Sequence, residues 1–181
     1  MEPREPRKRI TYVPKVIRAM DDELVFIKNK CSDHARKILI KIEEVRIELW
    51  FDKHYYNRYQ HGDSDGKREG IDPRTVEALV KKSVRHILFY SSVVQGFKFV
   101  NFNSSLPSIR VILQEKSADF KLNVVIGTHF LAICHYEITV KTAMRTEDFR
   151  VAMGQYCIEI QGDNSILYRN DNKKMVEVCS L

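Results

Sequence analysis

The chain has 181 residues, with 30 lysines and arginines against 24 aspartates and glutamates, and its formal net charge is +6. A hydrophobic fraction of 44%, with 7 glycines and 5 prolines, excludes a disordered or collagen-like chain, and the length fits one domain with its own core. The apolar runs are far shorter than the roughly 20 residues of a membrane-spanning helix, and no apolar stretch follows the charged N-terminus. We therefore expect a cytoplasmic protein that does not bind a membrane.

The four cysteines lie far apart, at Cys31, Cys134, Cys157 and Cys179. None belongs to a C-x-x-C pair, which a zinc or thioredoxin-like site usually shows. We expect reduced, mostly buried thiols, no metal site and no cofactor.

The first predicted element is a helix that Asp21 and Asp22 cap and that continues to about Glu43. Its apolar positions recur every three or four residues, at Leu24, Ile27, Cys31, Ala35, Ile38 and Ile42. An alternating segment over 45–51 predicts a short strand.

Two further helices are predicted downstream. The stretch 53–61 contains no helix breaker, and the loop 62–66 follows it. Asp72 before Pro73 is typical of a helix start, a cap followed by proline at the first helical position.

After about residue 96 the apolar pattern changes to one typical of strands. Strands are predicted at 97–102, 109–114, 122–126 and 136–142, with further pieces at 156–160 and 176–179. Helices followed by strands predict an α+β fold with N-terminal helices packed on a small antiparallel sheet. We expect a basic arm over 1–20, one domain over 21–144, and a β extension over 145–181 packed on that domain.

The positive charge is concentrated in the middle of the chain. Residues 53–86 hold eight basic and five acidic residues, together with three of the six histidines. On the helix 53–61, His54 and Arg58 share a face, and on the next helix Lys82 and His86 are one turn apart. Histidines beside cations fit RNA cleavage by attack of the 2′-hydroxyl, which needs a base, an acid and positive charge at the phosphate. The alternative is that these residues form solvated helix faces.

A second polar group is predicted on the strand near residue 140. His135, Glu137, Thr139 and Lys141 alternate with apolar residues and therefore share one face of the sheet. This face could hold a substrate, or it could be the solvated side of an ordinary antiparallel strand.

The order of residues resembles small endoribonucleases of the RelE and barnase-like folds. The resemblance is greatest to the phage RegB type of early-message endoribonuclease, and it rests on Lys53-His54-x-x-x-Arg58, Arg68-Glu69-Gly70-Ile71-Asp72, the helix with Val76 and Leu79, and His86. It covers about residues 20–90. It implies a metal-independent enzyme that leaves a 2′,3′-cyclic phosphate, with His54 catalytic and His86 matching a later histidine. Lys81 stands where the RegB type has another histidine.

The resulting hypothesis is an endoribonuclease that acts on messenger RNA, either free or associated with the ribosome. His54, His86 and His135 are the candidate catalytic residues. The candidate phosphate-binding residues are Arg58, Arg68, Lys81, Lys82 and Lys141. The alternatives are a non-catalytic RNA-binding or regulatory protein, and an interaction module for an acidic partner such as an antitoxin.

Overall fold

The computed structural model describes residues 25–42, 44–62, 69–99, 110–117 and 120–181. In chain order the elements are β1 (Ala35–Ile42), β2 (Val45–Asp52), α1 (Lys53–His61), α2 (Pro73–Val93), β3 (Arg110–Lys116), β4 (Lys121–Ala132), β5 (His135–Arg145), β6 (Tyr156–Gln161), β7 (Asn164–Asp171) and β8 (Lys174–Ser180).

All eight strands belong to one mixed sheet in the order β1-β2-β5-β4-β3-β6-β7-β8. Neighbours are antiparallel except β2 with β5 and β3 with β6, which are parallel. Residues 145–181 therefore contribute β6, β7 and β8 to the same sheet as the rest of the chain.

The sheet has two faces of different character. On the first face the helices pack on apolar strand residues, and the members of this core include Leu49, Val124, Ile138, Ile158, Val76, Leu79 and Ile87. On the second face, irregular segments cover parts of the sheet. Residues 149–151 pack there against a small cluster of Ile112, Val125 and Cys157. Among the described residues, neither helix combines the length and the apolar character that a membrane crossing requires.

The predicted fold class, N-terminal helices on a small antiparallel sheet, is wrong. The described residues form one large mixed sheet with two helices. The main error is the predicted first helix. Its second half, Ala35–Ile42, forms strand β1, which pairs with β2 from Ala35↔Asp52 to Ile42↔Val45. Ile38, Ile40 and Ile42 alternate, and β-branched residues at a spacing of two favour a strand. The cap at Asp21 and Asp22 lies outside the described residues.

Both later helices are confirmed, together with the cap of the second. Asp72 accepts a hydrogen bond from the backbone N of Arg74 at 2.7 Å, and Pro73 begins α2. The predicted strand over 97–102 is not confirmed, since residues 97–99 form no strand and the remainder lies outside the described residues.

Candidate functional site

Three polar side chains lie in a row across the second face. Glu48 of β2 is the register partner of Glu137 of β5, and Glu137 is the partner of His129 of β4. Register partners on neighbouring strands point to the same face. Glu137 and His129 are only 4% and 7% exposed, so the sheet holds a buried carboxyl group beside a buried imidazole.

The chain before β1 places a thiol over this row. The Sγ of Cys31 lies 3.1 Å from Nδ1 of His129. The Sγ of Cys31, one ring nitrogen of His129 and one carboxylate oxygen of Glu137 all lie within 4.8 Å of one another. We call these three residues the Cys31 cluster. Directly below the thiol is Gly127, where a Cβ atom would lie 2.8 Å from the sulfur, so only glycine leaves room for it.

A network of hydrogen bonds holds Cys31 in place. The side chain of Asn29 accepts from the backbone N of Cys31 at 2.9 Å and donates to Oγ1 of Thr139 at 2.7 Å. The backbone N of Lys30 donates to Glu137 at 3.1 Å. Lys141 donates to the carbonyl oxygen of Cys31. The segment is therefore tied to β5 on both sides of the thiol.

Burial changes the protonation of all three members of the cluster. It raises the pKa of Cys31 to about 11 and, with a smaller contribution from Glu48, raises the pKa of Glu137. Burial, together with Lys30 and Lys141, lowers the pKa of His129. At neutral pH the thiol keeps its proton and is not an activated nucleophile.

Three of the residues predicted from the sequence come together where β2 meets α1. Asp52 accepts from the backbone N of His54 at 2.8 Å and from Nζ of Lys141 at 3.2 Å. Arg58 donates to Oγ1 of Thr142 at 2.7 Å, next to Lys141 on β5. His54 itself is exposed. Cations thus gather beside one exposed histidine.

The structure does not bring the other two candidate histidines to this place. His86 is a buried residue of α2, and its Nδ1 lies 2.8 Å from Oγ of Ser165 on β7. His135 lies on β5, with Nε2 3.2 Å from Oε1 of Glu48. Four strand spacings of about 4.8 Å separate β5 from β7, about 19 Å in all. His86 and His135 are therefore too far apart to act on one phosphate.

The remaining predicted phosphate-binding residues are dispersed. Lys81 pairs with Glu77 on the same helix at 2.6 Å, and Lys82 pairs with Glu115 of β3 at 2.7 Å. The side chains of both pairs are exposed or half-buried. Arg68 lies outside the described residues.

The second face also carries a groove of about 580 Å³, and none of these candidates lines it. Its residues, here called the basic groove, are Gln114, Lys121, Phe149, Arg150, Val151, Asn170, Lys173 and Met175. Three of them are cations, one is aromatic and two are amides, and no acidic residue occurs among them. Asn170 is 9% exposed; its Nδ2 donates to the carbonyl oxygen of Val151 at 2.5 Å, whereas its Oδ1 accepts from none of the described residues. The groove thus offers positive charge, a ring and a free acceptor.

One of these cations stands in an unfavourable backbone conformation. Asn172 and Lys173 connect β7 to β8, with φ values of 49° and 68°. A two-residue hairpin turn with both φ values positive is usually built from Asn-Gly. Lysine in this left-handed region costs roughly 1–2 kcal/mol. Lys173 adopts this unfavourable conformation at a position where its side chain lines the basic groove.

Sequence reasoning missed both assemblies. It weighed His129 but left it out of the candidate catalytic residues, treated Cys31 as an ordinary thiol, and did not single out Phe149, Arg150 or Asn170. A partial signal existed for one pair, since His129 and Glu137 flank a two-residue turn at 133–134. Regular hairpin pairing would have placed Ile138 opposite His129, and the register shift between Phe130 and Ala132 brings Glu137 there instead. Nothing local connects Cys31 to either residue.

Comparison with protein-family models, with curated proteins and with solved structures finds no match for this chain. The resemblance to RegB-type endoribonucleases therefore stays a prediction from the sequence.

Proposed function

We propose that the protein binds single-stranded RNA in the basic groove. The observation that carries the proposal is the composition of this groove, in which Lys121, Arg150 and Lys173 surround Phe149 with no acidic residue in the lining. Single strands are bound by cations that track the phosphates and by aromatic rings on which bases stack. The net charge of +6 attracts a polyanion to the protein as a whole.

The dimensions of the groove favour nucleotides over a duplex. A volume of about 580 Å³ is in the range of pockets that enclose one small molecule. The free Oδ1 of Asn170 accepts a hydrogen bond, which a base amino group or a ribose 2′-hydroxyl supplies. RNA offers both donors, and DNA lacks the second. The proposal keeps the cytoplasmic location expected from the sequence.

The test is fluorescence anisotropy with a labelled single-stranded RNA, titrated with the full chain at several salt concentrations. Each phosphate contact contributes about 0.7 to the slope of log affinity against log salt for a single strand. The double variant Arg150→Ala/Lys173→Ala removes two cations, so its slope is expected to be smaller by about 1.4. Phe149→Leu keeps an apolar side chain but removes the ring, and should lose about 1–3 kcal/mol if one base stacks there.

The matched control is Lys81→Ala/Lys82→Ala on α2. It removes the same charge from the place where the sequence alone predicted phosphate contacts. If this control loses affinity and the groove variants do not, the groove is not the binding site. Equal affinity for an RNA and a DNA of the same sequence would contradict the role of the 2′-hydroxyl, and binding that is insensitive to salt would contradict the proposal altogether.

Cleavage of the bound RNA stays a prediction that rests on the resemblance. The same RNA, incubated with the protein in EDTA and mapped for new ends, tests it directly. Cyclic-phosphate ends are expected from attack of the 2′-hydroxyl. Recovery of intact RNA would show that the protein binds RNA without cleaving it.

A further inference from the structure

The structure assigns a second site to this protein: we propose that Cys31, His129 and Glu137 bind one Zn²⁺ ion, with a fourth position open to water or a small ligand. The proposal is independent of RNA binding. His129 lies six residues along β4 from Asn123, the partner of the groove residue Gln114, which corresponds to about 20 Å.

The donor atoms select the metal. Cys31 supplies sulfur, His129 nitrogen and Glu137 oxygen, and zinc accepts all three. Mg²⁺ and Ca²⁺ prefer oxygen ligands alone. Three protein ligands with an open fourth position are typical of catalytic zinc sites, whereas structural sites use four.

The distances are short enough for one ion. Zinc holds its ligands at about 2.0–2.3 Å in a tetrahedron, so ligand atoms around it lie roughly 3.3–3.7 Å from one another. The Sγ of Cys31 and Nδ1 of His129 are 3.1 Å apart, and all three donor atoms lie within 4.8 Å. Binding one ion therefore requires only small shifts of these side chains to reach the tetrahedral spacing.

The charge balance also fits a divalent cation. Zinc binding releases the proton of the Cys31 thiol, and the thiolate and the Glu137 carboxylate then carry two negative charges in a region where His129 and Glu137 are almost fully buried. Buried charge is costly unless it is paired or coordinates a metal. One Zn²⁺ ion neutralises both charges.

The surroundings hold the ligands as metal sites require. The backbone N of Lys30 orients the carboxylate of Glu137, and Asn29 fixes the backbone of Cys31. Gly127 leaves the space that the sulfur occupies. Partners of this kind commonly change metal affinity 10–100-fold when they are removed.

The test uses the full chain, first stripped of metal, and Zn²⁺ alone as the probe in calorimetry. One Zn²⁺ per chain is expected. Cys31→Ser and His129→Ala should each lose at least about tenfold in affinity, since even supporting residues cost this much. Cys179→Ser is the matched control, because Cys179 is also half-buried and lies on β8, away from the cluster.

A spectroscopic readout shows sulfur ligation in the unmutated protein before any variant is compared with it. Co²⁺ in place of Zn²⁺ should give a sulfur-to-cobalt charge-transfer band, which Cys31→Ser abolishes and Cys179→Ser retains. Gly127→Ala removes no ligand but displaces the sulfur, and should weaken Zn²⁺ binding about tenfold or more.

Two results would overturn the proposal. Zinc binding that is unchanged in Cys31→Ser would place the metal elsewhere. Absence of zinc binding, with rapid alkylation of Cys31 by iodoacetamide, would make the cluster a reactive thiol and not a metal site.

Discussion

Asp52 connects three parts of the molecule, so its replacement by alanine tests how the segment over the second face is held. One carboxylate oxygen caps α1 by accepting from the backbone N of His54 at 2.8 Å. The other accepts from Oγ of Ser32 at 2.6 Å and from Nζ of Lys141 at 3.2 Å. Burial by itself raises the pKa of Asp52, but the hydrogen bonds from Ser32, His54 and Lys141 outweigh it, and the pKa is lowered from 3.8. The group is therefore charged at neutral pH.

The expected loss in Asp52→Ala follows from these contacts. A helix cap contributes about 1 kcal/mol, and a hydrogen bond to a charged group about 1.5–3 kcal/mol. The side chains of Lys141 and Asp52 are 21% and 18% exposed, so the alanine variant also leaves Lys141 without its partner in a largely buried place. We expect a total of about 3 kcal/mol in the free energy of unfolding.

Asp72→Ala provides the matched comparison. Asp72 caps α2 through the backbone N of Arg74 at 2.7 Å but is exposed, and among the described residues it pairs with no buried cation. Its replacement should cost about 1 kcal/mol. Asp52→Asn keeps the cap, since asparagine caps as well as aspartate, and should fall between the two.

The assay is urea unfolding followed by circular dichroism, with thermal melts alongside. For a chain of this size 1 kcal/mol corresponds to about 2–4 °C in Tm, so Asp52→Ala should melt about 6–12 °C below the parent. If Asp52→Ala and Asp72→Ala lose the same stability, the bonds to Ser32 and Lys141 contribute nothing and the reasoning is refuted.

Two further predictions concern the strand assignment and the pH dependence. Ile40→Ala should cost about 2–5 kcal/mol because Ile40 is 4% exposed in β1, while the neighbouring Leu39→Ala, at 60% exposure, should cost little; equal losses in urea unfolding would contradict the alternation of a strand. Burial and Arg85 lower the pKa of His86 in the folded protein from 6.5. As the pH falls, the His86 imidazole is therefore protonated first in the unfolded chain. The stability contributed by neutral, buried His86 is present above pH 6.5 and is lost as the pH falls through the folded-state pKa. His86→Gln should therefore reduce the slope of the unfolding free energy against pH, below pH 6.5, by up to about 1.4 kcal/mol per pH unit. Part of the slope should remain, because the pKa of His129 is also lowered. An unchanged slope would contradict the prediction.

The two helices were predictable because their signals are local. Asp72 and Pro73 are neighbours in the sequence, and this cap and proline together mark the start of α2 without contacts from distant residues. The boundaries of α1 follow equally locally, from Asp52 before it and Gly62 after it. Such signals act within one turn of the chain, and no distant residue is needed to interpret them.

The strand β1 was not predictable in this way, because its sequence fits two periods. Ala35, Ile38 and Ile42 suit a helix, whereas Ile38, Ile40 and Ile42 suit a strand. What decides between the two is the hairpin with β2, where eight residue pairs form a ladder and bury Ile40. This decision is made by tertiary pairing, which a single-sequence pattern does not contain.

The Cys31 cluster shows the same limit at the level of a site. Spacing rules detect zinc ligands that lie close together in the sequence, such as C-x-x-C. Here the ligands are separated by 98 residues between Cys31 and His129. The thiol reaches the imidazole because the segment before β1 crosses the middle of β5 and β4, where it contacts Thr139, Glu137 and His129.

The second face explains why two sites of different chemistry lie on one sheet. Both described helices pack on the first face, so irregular segments, 25–34 and 146–155, cover parts of the other. A segment without a strand ladder must satisfy its polar groups by other bonds, and here the sheet provides them: Thr139 accepts from Asn29, and Glu137 accepts from Lys30. Polar strand residues are therefore required wherever such a segment crosses. A face selected to bind an irregular segment already holds carboxylate, hydroxyl and imidazole groups at fixed positions, and a thiol or a cation from the segment completes a site.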